Sequence, residues 1–345
     1  MIVVNGEPFI RYNLENLYPH AHEILIVEGA VEKFRHAATP DGHSLDRTVE
    51  IIKNFPDPQG KIKLIQRDGF WPEKDEMSNA YMAICTGDYI WQVDVDEFYK
   101  SADIEKIRRL LSENPDIERV DIKTINFWRG FRAVMQGASY IYGADEFIRI
   151  FKFKSGYRYL AHRPPTVIDE RGCVIGASNI LRANELAEVH NVYIYHYSYV
   201  FPDAVKNKSA YYSGMSWENG CEEGLKWAEK YWEKFKNPLR IHLIKFPPSW
   251  IILFSGNHPE VIEKMIKEIN YKENSEIEDF LESEWGKYAD VGNRIMDYYT
   301  RAEKKQMNRL TAAFSILGCL ILPTNGMALR ADKTIFEVFS RRLRI

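Results

Sequence analysis

Over its first hundred residues the chain alternates short apolar runs with amphipathic stretches, a pattern that predicts βαβ units around a mainly parallel sheet. Met1–Val4 is the first apolar run and ends at Asn5-Gly6. Pro8 then suits the first turn of a helix reaching to about Leu17. Glu23–Val27 (EILIV) reads as a buried strand closed by Glu28-Gly29, Asp46 to Lys53 as a helix, and Lys61–Ile65 (KIKLI) as a third strand. Between Glu73 and Thr86, Met77, Ala80, Tyr81 and Ile84 recur at i, i+3, i+4 and i+7, one apolar helix face, with Gly87 placed to end it. Tyr89–Val93 (YIWQV) follows as a central strand running into Asp94-Val95-Asp96-Glu97, and residues 103–112 make another helix.

From Arg119 the texture turns β-rich: Val120–Phe127, Phe147–Phe153, Tyr157–Ala161, and Val192–Tyr199 with its alternating tyrosines. After Phe201-Pro202 the chain becomes helical and more charged over Trp217 to Phe235 and Pro259 to Ile269, with Pro238, Pro247 and Pro248 between them. An acidic part (Glu273–Glu284), the apolar run Leu310 to Leu322 and the basic tail Arg341, Arg342 and Arg344 follow. The expected organisation is an α/β domain over residues 1–200 and a helical extension over 201–345.

Composition narrows the class. Of 345 residues, 45% are hydrophobic and 28% charged, the balance of a globular protein able to bury a sizeable core. A net charge of −3 argues against a general nucleic-acid binder. Cys85, Cys173, Cys221 and Cys319 lie far apart without CxxC spacing, so neither a zinc ribbon nor a redox motif is expected, and a reduced cytoplasmic protein is the simplest reading. No stretch reaches the roughly 18–20 apolar residues of a membrane span. Leu310–Leu322 is a buried helix or, with the basic tail, a peripheral contact at the inner membrane face.

The candidate chemistry centres on Asp94-x-Asp96 at the carboxyl end of a strand, where open α/β sheets bind ligands. Two carboxylates there, with Glu97 beside them, call for a cation, and Mg²⁺ or Mn²⁺ commonly shares its shell between carboxylates and substrate phosphates. Alone the tripeptide is weak evidence, because acidic pairs after strands are usually loop caps. The run Lys74–Phe98 (KDEMSNAYMAICTGDYIWQVDVDEF) resembles the family 2 glycosyltransferases, with Lys74, Asn79, Gly87-Asp88, Asp94, Asp96 and Glu97-Phe98 in register. Val3-Val4-Asn5-Gly6-Glu7 looks like that family's first strand and turn. Glu28-Gly29 stands where an acidic residue follows the second strand, and Ser44-x-Asp46-x-Thr48 looks like the S-x-D-x-T segment after it. The Glu28 position is more usually Asp.

That resemblance implies a GT-A fold, Rossmann-like, and a metal-dependent inverting hexosyltransferase-like enzyme of polysaccharide assembly. It implies a nucleotide-diphospho-sugar donor and a glycan, lipid-linked or other hydroxyl acceptor. Residues 1–100 would bind nucleotide-sugar and metal, and 101–200 would face the acceptor. Val4, Asn5, Glu7, Glu28, Asp46, Lys74, Asn79, Asp94, Val95 and His162 are the implied donor contacts. His162, Asp169-x-x-Gly172 and Tyr195-His196-Tyr197-Ser198-Tyr199 resemble a subgroup related to lipopolysaccharide-core sugar transferases. A neutral imidazole suits a Mn²⁺ site already held by carboxylates. Asp94, Asp96 and His196 are therefore the implied metal ligands, with His190, at a strand's start, a weaker candidate. Asp145 or Glu146, in Gly143–Phe151, is the expected general base, with Glu97 competing. Arg149 and Arg158 would offset diphosphate charge unless they are surface arginines on a strand edge. The aromatic, glycine- and arginine-rich Trp128–Tyr142 would shape the acceptor pocket.

Two other readings share the sheet. A sugar nucleotidyltransferase would need a glycine-rich basic loop after the first strand, which Asn5-Gly6-Glu7-Pro8 is not. A non-catalytic nucleotide- or glycan-binding module is disfavoured by the intact Asp94, Asp96 and His196.

Overall fold

The alternating runs of the first 65 residues fold in the order their pattern predicts. In the computed structural model, which describes residues 1–137, 146–213, 228–233 and 249–272, β1 (Ile2–Val3), α1 (Ile10–Leu17), β2 (Ile24–Glu28), α2 (Thr48–Asn54) and β3 (Ile62–Ile65) succeed one another. Next come α3 (Lys74–Met82), β4 (Tyr89–Trp91), β5 (Glu97–Phe98), α4 (Ser101–Glu113), β6 (Arg119–Trp128), β7 (Ala133–Gly137) and β8 (Glu146–Lys152). Then β9 (Arg158–Ala161), β10 (Thr166–Ile168), β11 (Ile180–Leu181), α5 (Ala183–His190), β12 (Ile194–Tyr199), α6 (Pro202–Ser213), β13 (Ser249–Leu253) and α7 (Glu260–Glu268) complete the described elements. The described residues divide into two compact units, one of residues 1–126, 146–198 and 256–272, the other of 127–137, 199–213, 228–233 and 249–255. Residues 256–272 thus pack with the first unit although they follow residue 200.

In the first unit β1, β2 and β3 form a parallel sheet, with Ile2 opposite Val27 and Ile24 opposite Ile62. Ile10, Leu14 and Leu17 share one stripe of α1 and pack with Val3, Ile24, Ile26 and Ile52. Each aliphatic side chain fully buried there contributes about 1.5–3 kcal/mol. Gly6 lets the chain turn tightly against this core: a Cβ there would lie 2.9 Å from Val3 Cγ2 and 3.2 Å from Val95 Cγ2. The α/β architecture with a parallel sheet and flanking helices is therefore present. β4 does not extend the parallel set. It pairs antiparallel with β8, and β8 with β6, starting a second ladder over a core that includes Tyr99, Ile107, Val120, Ile122, Ile150 and Ile194.

Local differences from the pattern have local causes. α3 ends at Met82, a turn short of Thr86, and buries Met77, Ser78, Tyr81 and Met82, while Ile84 is exposed. Gly87 therefore does not cap it. His190 closes α5 instead of opening a strand. α7 presents Ile262 and Met265, both fully buried, and reaches α1 through Arg11–Glu268 and Lys264–Glu15 ion pairs, each 2.7 Å. No helix among the described residues is long and apolar enough to cross a membrane. The Leu310–Leu322 run and the basic tail lie outside the described residues.

In the second unit β7 and β13 pair antiparallel over five residues, Ala133 opposite Leu253 through Gly137 opposite Ser249. β13 (SWIIL) follows Pro247-Pro248, a stretch the sequence reads only as a connection. A short helical turn, Ala228–Glu233, buries Trp232, whose indole N–H donates to the Tyr199 carbonyl at 3.0 Å.

Candidate active site

Strand pairing on two sides builds the acidic turn. β8 lies beside β4, and the Gln92 N–H donates to the Arg149 carbonyl at 2.7 Å, so Arg149 flanks the approach to Asp94. On the other side β5 pairs with β12, His196 directly opposite Glu97. From beneath, the buried Asn13 amide of α1 donates to the carbonyls of Val95 (3.1 Å) and Glu97 (2.8 Å), and Asn16 exchanges two hydrogen bonds with the Tyr99 backbone.

The turn's charges sort into two groups. Glu97 is fully buried and takes both arms of Arg149, whose Nε donates to Oε2 at 2.8 Å and Nη2 to Oε1. Burial pushes the Glu97 carboxyl up, and the bidentate guanidinium of Arg149 opposes that shift. Arg149, 1% exposed, is neither a surface arginine nor open to a leaving group. It neutralises Glu97 and reaches Asp94 Oδ2 at 3.4 Å. The same Oδ2 accepts from Nη2 of Arg163, a residue of the segment after β9 that the sequence reading did not single out. Burial opposes ionisation of Asp94, but the cations Arg163, Arg149 and Lys74 around it hold its carboxyl well below the usual carboxylate range.

Asp96 turns to other partners. Its Oδ2 accepts from Ser198 Oγ at 2.7 Å and lies 3.6 Å from His196 Nε2. Nδ1 of His196 sits 2.7 Å from Asn126 Oδ1, a contact that orients the ring so that Nε2 faces Asp96. A carboxylate beside an oriented imidazole fits one side of a Mn²⁺ or Mg²⁺ shell. Asp94 does not join them: of the implied ligands Asp94, Asp96 and His196, the structure brings the last two together and gives Asp94 to arginines. Among the described residues no group of three or more His, Cys, Asp or Glu is disposed to hold a metal ion.

The donor contacts expected near the N-terminus are tied into the protein by hydrogen bonds. Successive N–H groups of Asn5, Gly6 and Glu7 donate to Ser44 Oγ (2.9 Å), Thr48 Oγ1 (2.6 Å) and Asp46 Oδ2 (2.9 Å). The S-x-D-x-T segment is therefore a clip on the first turn. The Asn5 side chain holds Ala37 and Leu45, and Glu7 holds the Arg47 backbone and guanidinium. Glu28, fully buried, accepts from Ser44 N–H and Oγ, Gln66 Nε2 and His43 Nδ1, all within 2.9 Å. Its oxygens face protein, and the half-buried His43 stands outside them. Val4 and Val95 are half-buried; Val95 packs on the first core.

α3 positions the segment after β9. Asn79 makes a two-way clip with the Tyr159 backbone (3.1 and 2.8 Å), Asp75 accepts from the His162 N–H, and Ser78 Oγ meets His162 Nδ1 at 3.0 Å. Asn79 thus orients Tyr159–His162 in place of meeting a donor. Burial drives the His162 imidazole down to about 3, so it is neutral near Asp94. Lys74 starts the helix and is among the cations acting on Asp94.

For the base, burial under Arg149 removes Glu97. Glu146 is exposed at the start of β8. Asp145 and residues 138–142 of the Trp128–Tyr142 stretch lie outside the described residues, and the described part of that stretch includes β7 and not only loop. Arg158 is exposed on β9. A cavity of about 820 Å³ opens at the other ends of the strands, lined largely by apolar residues such as Leu17, Ile24, Ile90 and Leu111, away from the acidic turn.

Residues 40–163 match the family model described as glycosyl transferase family 2, a span that takes in Ser44-x-Asp46-x-Thr48, the acidic turn and His162-Arg163. A comparison with curated proteins returns no match. Among solved structures, S. aureus TarS 1–349 is similar at a TM-score of 0.37 and 13% identity, over 70% of this chain and 74% of that one. The same protein in complex with UDP-GlcNAc gives 0.36 and 12%, over 67% and 71%. Similarity at this level carries no argument about shared chemistry.

Proposed function

We propose that this protein is a nucleotide-sugar glycosyltransferase that moves a sugar from a nucleotide-diphospho-sugar to a hydroxyl acceptor with inversion. One observation carries the reading. At the carboxyl ends of the strands two cations beside Asp94 (Lys74 and Arg163) adjoin a carboxylate–imidazole pair, Asp96 and His196. Anion-seeking and cation-seeking groups side by side are what a diphosphate with its divalent ion requires. The match of residues 40–163 to family 2 supports the same class.

In this reading Asp96 and His196 hold Mn²⁺ or Mg²⁺, Asn126 fixing the imidazole so that Nε2 faces the ion. The ion, when bound, neutralises the diphosphate as it leaves the sugar. Lys74 and neutral His162 line the phosphate side. The acceptor proton goes to a carboxylate, and Asp145 is the candidate. The nucleotidyltransferase alternative fits less well, because the first turn's three N–H groups are bonded to Ser44, Thr48 and Asp46 and not open to phosphate.

The test is a panel of nucleotide-sugars assayed for hydrolysis with Mn²⁺ and with EDTA. At least one donor should be hydrolysed faster with metal, and Asp96→Asn should remove the metal-dependent part while remaining folded. No hydrolysis of any donor, or full metal-dependent activity in Asp96→Asn, would overturn the proposal.

A further inference from the structure

Two guanidinium groups share one oxygen of Asp94, and they differ in exposure. Arg149 is 1% exposed and fixed by Glu97 on two nitrogens and by the Ile148 carbonyl. Arg163 is 44% exposed and approaches Asp94 from the solvent side, on the segment that α3 holds through Asp75 and Ser78. Asp94 is thus a carboxylate with one buried cation and one solvent-exposed cation on the same oxygen. A guanidinium fork matches phosphate oxygens as well as it matches a carboxylate.

We infer that Asp94 acts as an internal stand-in for the donor's diphosphate: it holds Arg163 at the site until phosphate oxygens take the guanidinium over. This deepens the reading above and rests on it for the identity of the ligand. It also assigns a role to Asp94 other than metal ligand. The bound anion gains Arg163 while Asp94 keeps Arg149, so no buried charge is left unpaired by the exchange.

The exchange makes opposite predictions for the two partners. Inorganic pyrophosphate and a set of nucleoside diphosphates are titrated calorimetrically in EDTA, so that metal contributes nothing. Arg163→Ala should weaken binding of both about tenfold, the order expected for one charge-assisted contact. Arg163→Lys, which keeps the charge but loses the fork, should fall between. Asp94→Asn should strengthen binding several-fold, because the competing carboxylate is gone, and the gain should vanish in the double variant Asp94→Asn/Arg163→Ala. Unchanged affinity in Arg163→Ala, an exposed position where folding is not at stake, overturns the inference. So does a gain in Asp94→Asn that survives without Arg163. If the binding pattern holds while no nucleotide-sugar is hydrolysed, the exchange stands as an anion latch and the transferase reading fails.

Discussion

His162 shows how much one side chain can report. Its imidazole lies against Ser78, 3% exposed, and burial lowers it from 6.5 to about 3. The unfolded chain binds a proton there below pH 6.5 and the folded one does not. The stabilisation is therefore complete above 6.5 and is lost as pH falls toward 3. At pH 5 the loss amounts to about 2 kcal/mol. Urea unfolding at pH 7 and pH 5 should give a stability difference about 2 kcal/mol smaller for His162→Gln than for the unaltered protein; equal differences would mean that the imidazole protonates in place. Glu97 teaches a complementary lesson. Its identity is plain in the sequence, but a partner 52 positions away on another strand decides that it neutralises Arg149 and does not serve as a base.

At the scale of elements, the Ser44-x-Asp46-x-Thr48 clip is the clearest unit. Alternate side chains of the stretch that leads into α2 meet successive N–H groups of a turn some 40 residues earlier. Thr48→Val keeps the shape but strips the acceptor from the buried Gly6 N–H, a loss of about 1–3 kcal/mol. Thermal unfolding of the variant checks it, and a change under 0.5 kcal/mol (order of magnitude for a neutral surface substitution) would discount the clip. The strands and helices of the first hundred residues were legible because apolar periodicity is a local signal. Who bonds to Asn5, Asp46 or Glu28 was not, because polar partners are chosen by tertiary approach. Arg163 escaped notice for a related reason: it sits in an aperiodic stretch, and its neighbours His162 and Pro164 were its only flag. Asp96 and His196 could be paired in advance only through the family resemblance.

For the whole molecule, the return of residues 256–272 raises the question of what fastens α7 to α1. Arg11, Glu15, Lys264 and Glu268 form a visible ionic seam, yet all are 24–46% exposed, and such pairs contribute about 0.2–1 kcal/mol each. Ile262 and Met265 are fully buried, and truncating either to Ala costs about 2–5 kcal/mol. Calorimetric melting should therefore move much further for Ile262→Ala than for Glu268→Gln, and 1 M salt should have little effect. The opposite ranking would make the attachment electrostatic.

Asn13 and Asn16 tie the acidic turn to α1 across more than 80 positions of sequence. The consequence is kinetic. Neither segment can open to solvent without breaking its bonds to the other, so backbone amides of 10–17 and of 97–99 should exchange with deuterium at a common rate, as one cooperative unit. The acidic turn would then be among the last parts of the sheet to open, held ready in shape before any ligand arrives. A turn of that kind recruits its charge partners without first having to order itself.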